Sequence, residues 1–167
     1  MEATKTQTRP RKVARDHSHN SVLCARSVAL LNYYLLGEGI LPSVPQADIN
    51  GYDVVTDYNG KMQRVQVRAT GFARGQKKPP ESPRSFTFSI LRNKKKRRIG
   101  DVEFDLRRHF QPGEVDVFIF IHVDYQKIFV VDAEMMDLSK TKFTVYAGQS
   151  WEQAWWVLKN GGRNNVG

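Results

Sequence analysis

The run Asp57-Tyr58-Asn59-Gly60 constrains this chain more than any other stretch. Asn-Gly between two strand-forming runs is a strong short-range hairpin signal, because both central residues of a type I′ turn need positive φ. The strand before it starts near Asp53 with Val54 and Val55, and the strand after it ends in Gln66-Val67-Arg68. Alternation puts Met62, Arg64, Gln66 and Arg68 on one face and Gln63, Val65, Val67 and Ala69 on the other. The valines then face a core. Gln66 and Arg68 stand side by side on the opposite face, level with Asp53. An acid, an amide and a cation gathered at one end of a hairpin form a candidate site.

What this hairpin serves is narrowed by charge. The 167 residues hold 26 Lys plus Arg against 17 Asp plus Glu, a net +9 with pI near 9.8. A domain this basic attracts polyanions, of which nucleic acid is the most abundant inside a cell. A membrane-surface role would gather the charge on one amphipathic helix; here it lies in loops and an arm. No apolar run approaches the roughly 20 residues of a membrane span, and the N-terminus is polar and basic. The single cysteine, Cys24, excludes an internal disulfide and fits a reducing compartment. The expected product is a soluble, cytoplasmic, DNA-associated protein. No CxxC pair, phosphate-cradling glycine loop or nucleophile elbow is present, which removes thiol-redox proteins, nucleotide hydrolases and serine hydrolases.

In chain order, residues 1–17 read as a flexible basic arm that includes Arg11 and Lys12, and 18–167 as one domain. Residues 20–36 predict a helix with an apolar stripe of Val22, Ala25, Val28, Ala29, Leu31, Leu35 and Leu36, capped by Ser18 or Asn20 and ended by Gly37-Glu38-Gly39. A zinc site can be drawn from His17, His19 and Cys24, but no fourth ligand has a recognisable spacing; capping and packing account for these residues. Pro42 and Pro45 make 40–45 a short edge segment, which leads past Asp48 into the hairpin. The Gly-, Lys- and Pro-rich stretch 71–83, with Lys77 and Lys78, is a loop. Residues 84–91 predict a third strand of the sheet with Phe86, Phe88 and Ile90 on one face. Six of the seven residues from Arg92 to Arg98 are positive, and Lys94, Lys95, Lys96, Arg97 and Arg98 are the foremost candidates for phosphate contact. Residues 101–113 suggest a short helix stopped by Pro112-Gly113. Val115 to Val123 reads as a central strand covered on both faces, with His122 in a structural role at its end, and Ile128 to Val131 pairs back onto it. Asp132–Leu138 suggests a short helix and Lys142–Tyr146 a late strand. Ser150 with Gln153 suggests a capping box for a last helix bearing Trp151, Ala154, Trp155 and Leu158, with some tryptophans left for a subunit interface.

A helix, an extended segment, and a hairpin carrying Asp on one strand and Gln-x-Arg on the next, in a basic chain, resembles the PD-(D/E)xK nuclease superfamily. It is most similar to the small branch with Gln in the second acidic slot, which includes intron homing endonucleases and short bacterial and archaeal nucleases. The resemblance rests on Gly51-Tyr52-Asp53-Val54-Val55, Arg64-Val65-Gln66-Val67, Ser85 to Leu91, Glu114 to Phe118 and Ile121 to Val131. It implies an α/β fold with a restriction-endonuclease-like core, a central mixed β-sheet flanked by helices. It also implies hydrolysis of DNA phosphodiester bonds with Mg2+ or Mn2+, by a homodimer or homotetramer. Asp53, the Gln66 carbonyl and the Val67 main-chain carbonyl would hold the metal, with Arg68 as the cation beside the attacking water.

Two positions depart from that pattern. Residue 68 is Arg where the family has Lys, and arginine stabilises charge but cannot deprotonate a water. Residues 20–36 hold no acid where family members often place a Glu ligand, so Asp16 or His19 would have to substitute from an earlier helix start. A non-catalytic DNA-binding protein on the same fold is therefore the competing expectation, and a basic RNA-associated protein a third.

Overall fold

The computed structural model describes residues 17–45, 52–72, 83–93, 97–99, 102–104 and 107–160. Its centre is a five-stranded mixed sheet of β1 (Leu41–Ser43), β2 (Val54–Tyr58), β3 (Lys61–Thr70), β9 (Val117–His122) and β10 (Lys127–Asp132), in that spatial order. The β2–β3 hairpin turns at Asn59 (φ 53°) and Gly60 (φ 80°), as its Asn-Gly sequence requires. Asp57 Oδ1 accepts the Gly60 N–H at 2.8 Å, so this aspartate belongs to the turn. β3 runs parallel to β9, with Val65 opposite Val117, and all other neighbours in the sheet are antiparallel. A parallel step needs a long crossover. Here residues 71–116 supply it, carrying β4 (Ser85–Ser89), β5 (Arg92–Asn93), β6 (Arg97–Ile99), β7 (Val102–Phe104) and β8 (Arg107–Arg108).

β9 is buried along its whole length, as its continuous apolar run predicts, and its two faces feed two cores. Val117, Ile119 and Ile121 join Val54, Val65, Ile128 and Val130 beneath the helices α1 (His17–Gly37) and α2 (Trp156–Asn160). Phe118 and Phe120 join Phe129 and Val131 beneath β4 and β11 (Lys142–Tyr146). α1 begins at His17, three residues ahead of the expected start. It ends where the Ile40 N–H reaches Leu35 O at 2.8 Å and the Gly39 N–H reaches Leu36 O at 3.1 Å, a Schellman closure that needs the positive φ of Gly39.

Several expectations are corrected. The buried face of α1 is Leu23, Ser27, Leu30, Leu31, Tyr34 and Leu35; Val22, Ala25, Val28, Ala29 and Leu36 are exposed, with Leu36 at 56%. The helix is apolar on nearly every side, so periodicity alone could not select the packing face. β4 buries Phe86, Phe88 and Ile90 as expected, but it pairs with β11 in a separate two-stranded layer and is not a third strand of the central sheet. Part of 101–113 is strand, because β7 and β8 pair back onto β6 and β5, while Gly113 keeps the turn with φ 80°. Asp132–Leu138 reduces to a single 3-10 turn at Ala133–Met135, capped by Asp132 through the Glu134 N–H at 2.9 Å.

The capping box does not form. Residues 151–153 lie along β10, with the Val130 N–H on Trp151 O and the Gln153 N–H on Ile128 O, both at 2.9 Å, and α2 starts only at Trp156. Trp155 is nonetheless buried and stacks on Tyr34 at 6.0 Å, Trp151 packs on the second core, and Trp156 is the exposed one. His122 ends β9 against Phe72, Phe86 and Tyr125, and burial pushes its pKa down, consistent with a structural role. No described helix is long and apolar enough to cross a membrane.

Candidate active site

The bend before β2 brings Asp53 back onto β3. Its N–H donates to Val65 O at 2.9 Å, and its Oδ2 accepts the Val67 N–H at 2.9 Å. The Gln66 side-chain amide donates to the same Oδ2 and also lies 3.3 Å from Val67 O. Asp53, Gln66 and the Val67 main chain, three residues singled out by the sequence, thus meet at one point. The Gln66 amide group stands between two oxygens, Asp53 Oδ2 and Val67 O. Turning that amide about its last torsion puts its own oxygen beside the other two, a donor set of hard oxygens that suits Mg2+ or Mn2+. Asp53 is the carboxylate that these bonds bring to this point; among the described residues no group of three His, Cys, Asp or Glu is placed to hold a metal.

Arg68, two residues further along β3, is gripped by the returning crossover. Its Nη2 donates to Leu91 O at 3.1 Å, its guanidinium lies 5.5 Å from the centre of the Phe110 ring, and its buried Nε has no hydrogen-bond partner among the described residues. Burial pushes its pKa down while Asp53 pulls it up; a guanidinium so placed remains a cation at neutral pH. At the start of β3, Arg64 makes a two-pronged pair with Asp116, Nη2 to Oδ1 at 2.7 Å and Nε to Oδ2 at 3.0 Å, while the Arg64 N–H adds 2.7 Å to Oδ2. Burial works against ionisation of Asp116, but these bonds outweigh it and hold its pKa below the usual carboxylate range. This pair fixes the parallel register that aligns β3 with β9. Arg64 therefore supports the site and does not join it.

Glu114 collects Arg92 Nη1 at 3.1 Å, both Arg108 terminal nitrogens, and the Gln111 N–H at 2.7 Å. Arg108 foremost draws its pKa down to about 2. Sequence reading missed Asp116, Glu114, Leu91 and Phe110 as parts of this region. The visible signal was the pair of acids Glu114 and Asp116 just before the most apolar strand, where an unpaired charge would be costly.

Of the other expected residues, Arg97 and Arg98 lie on β6, while Arg11, Lys12, Asp16, Asp48, Lys77, Lys78, Lys94, Lys95 and Lys96 lie outside the described residues. His17 and His19 fall in the first turn of α1, and Cys24 is exposed on it. A cavity of about 1300 Å³ opens at the other end of β3, lined by Lys61, Gln63, Asp116, Asp132, Glu134 and Asp137 among others. It touches none of Asp53, Gln66 and Arg68, although it includes Phe110, against which Arg68 packs. Size alone is thus a poor guide to the chemistry here.

This fold is similar to that of a homing endonuclease whose structure is solved. That protein is the bacterial homing endonuclease I-Ssp6803I; the two match with a TM-score of 0.60 at 15% identity, over 89% of this chain and 96% of that one. At that identity the likeness shows the fold. No known family's sequence profile matches the chain, and no curated protein matches it in sequence.

Proposed function

We propose that this protein is a DNA endonuclease of the PD-(D/E)xK type that hydrolyses phosphodiester bonds with Mg2+ or Mn2+, working as a homodimer or homotetramer. The observation that carries the reading is the meeting of Asp53, Gln66 and the Val67 carbonyl beside the half-buried cation Arg68. The solved homing endonuclease with the same fold supports DNA as the substrate, as does the net charge of +9.

In this reading Asp53, Gln66 and Val67 O would hold the divalent ion, which would supply positive charge for the phosphate and hydroxide at neutral pH. Asp53 keeps its carboxylate aimed by accepting the Val67 N–H. Gln66 contributes a neutral oxygen once its amide turns. Arg68 stabilises the negative charge that grows on the phosphate oxygens in the transition state and takes no proton itself. One such site cuts one strand, so a double-strand break needs two copies. Lys94, Lys95, Lys96, Arg97 and Arg98, with Arg11, Lys12, Lys77 and Lys78, supply phosphate contacts.

The lack of an acid within residues 20–36 and the arginine at 68 favour a second reading, a DNA-binding protein without turnover. Cleavage of linear duplex and four-way-junction DNA, with and without magnesium and with residue 68 as Arg or Lys, separates the two. A nuclease cuts only with metal, and Arg68→Lys, which restores a group able to give up its proton, raises the rate by at least about tenfold. A binder leaves both substrates intact in every lane.

A further inference from the structure

β5 through β8 form two nested antiparallel pairs. Arg92 faces Arg108 and Asn93 faces Arg107, and further out Arg97 faces Phe104 and Ile99 faces Val102, with the register shifted by one residue between the pairs. The excursion thus begins at Arg92 and ends at Arg108 in the chain. Within the described strands it carries five arginines against Glu103 alone.

The root of this excursion is fastened at two points. Glu114 binds Arg92 and Arg108, the first residue out and the last one back, and its depressed pKa keeps it charged at any ordinary pH. Leu91, just before β5, accepts the Arg68 guanidinium at 3.1 Å, and Phe110, just after β8, lies 5.5 Å from it. The two ends of the excursion therefore hold the cation that stands beside Asp53.

We propose that β5–β8 is an arm that enters the major groove of duplex DNA, and that its root sets the arm's position relative to Arg68 and Asp53. The proposal rests on the nuclease reading of that site and adds how the duplex is presented to it. A two-stranded ribbon is the kind of element the B-form major groove admits, and the deep, narrow major groove of duplex RNA does not. The arm's own arginines supply the charge. Glu114 acts as a positioning residue through Arg92 and Arg108, and a duplex held by the arm has its backbone carried to the site at a fixed offset.

The arm is tested in the metal-free, full-length Asp53→Ala protein, where binding is read without cutting. Dimethyl sulfate reports guanine N7 in the major groove and adenine N3 in the minor groove. Guanine N7 should be protected, and duplex DNA should compete at least about tenfold better than duplex RNA of the same sequence. Arg97→Ala/Arg98→Ala should remove the N7 protection and lower the salt dependence of binding by about two phosphate contacts, with Arg98→Ala alone showing part of each effect. Protection confined to adenine N3, equal competition by RNA, or unchanged protection in both arm variants overturns the arm. For the root, Glu114→Gln with Asp53 intact should bind DNA within about threefold of the parent but cut at scattered positions. Cutting at the parent's position and rate overturns the positioning role. If nothing is cut yet the footprint stands, the nuclease reading has failed and the arm has not.

Discussion

At Arg68 the structure concentrates three demands on one side chain: a carbonyl to satisfy, an aromatic face to pack on and an acid to neutralise. Its neighbours Asp53 and Gln66 were legible in the sequence because a hairpin is local. A two-residue turn fixes register, and alternation fixes faces. Leu91, Phe110, Glu114 and Asp116 were not legible, because they reach the site through a crossover and a parallel pairing that no local pattern encodes. Glu114 offers a test at this scale. Its pKa falls from an ordinary 4.5 to about 2 on folding, so its contribution to stability is fully present above about 4.5 and disappears as pH falls toward 2. Glu114→Gln should lower Tm by roughly 3 °C at pH 7, and the gap to the parent should narrow between pH 4.5 and 3. A gap that is constant across this range in thermal melts would show that the ion pairs with Arg92 and Arg108 contribute nothing.

Among the elements, β9 and the β2–β3 hairpin are where sequence and structure agree most closely, since a continuous apolar run and an Asn-Gly turn each leave few alternatives. α1 is where they part. Apolar residues surround it, and the tertiary partners Trp155, Val157 and Leu158 select the face bearing Leu31 and Leu35. Leu35→Ala should therefore cost about 3 kcal/mol, while Leu36→Ala, one residue on and 56% exposed, should cost less than about 1 kcal/mol. Urea unfolding of the two variants checks this, and equal losses would mean that the face is misassigned. The expected start of the last helix at Ser150 fails for a related reason. Residues 151–153 bond to the edge of β10, and that pairing displaces the helical turn Ser150 and Gln153 would otherwise cap.

Across the whole molecule, charge and topology point the same way. The chain carries +9, while the cavity at the start of β3 holds Asp132, Glu134 and Asp137 beside Lys61 and His109. The Asp53 end has Arg68 inside it and the arginine-rich β5–β8 excursion rooted beside it. The fold is similar to that of a solved homing endonuclease, and 15% identity leaves the chemistry to this chain's own residues. Binding of duplex DNA should accordingly weaken steeply as salt rises, and Asp53→Ala should leave that salt dependence unchanged. The central claim is that Asp53 anchors a metal-dependent phosphodiesterase site. It is tested most directly by incubating supercoiled plasmid with parent and Asp53→Ala protein in magnesium, matched for DNA binding. The account predicts nicked or linear product from the parent and at least about a hundredfold less from the variant. Intact plasmid from both, or equal cutting by both, would contradict it.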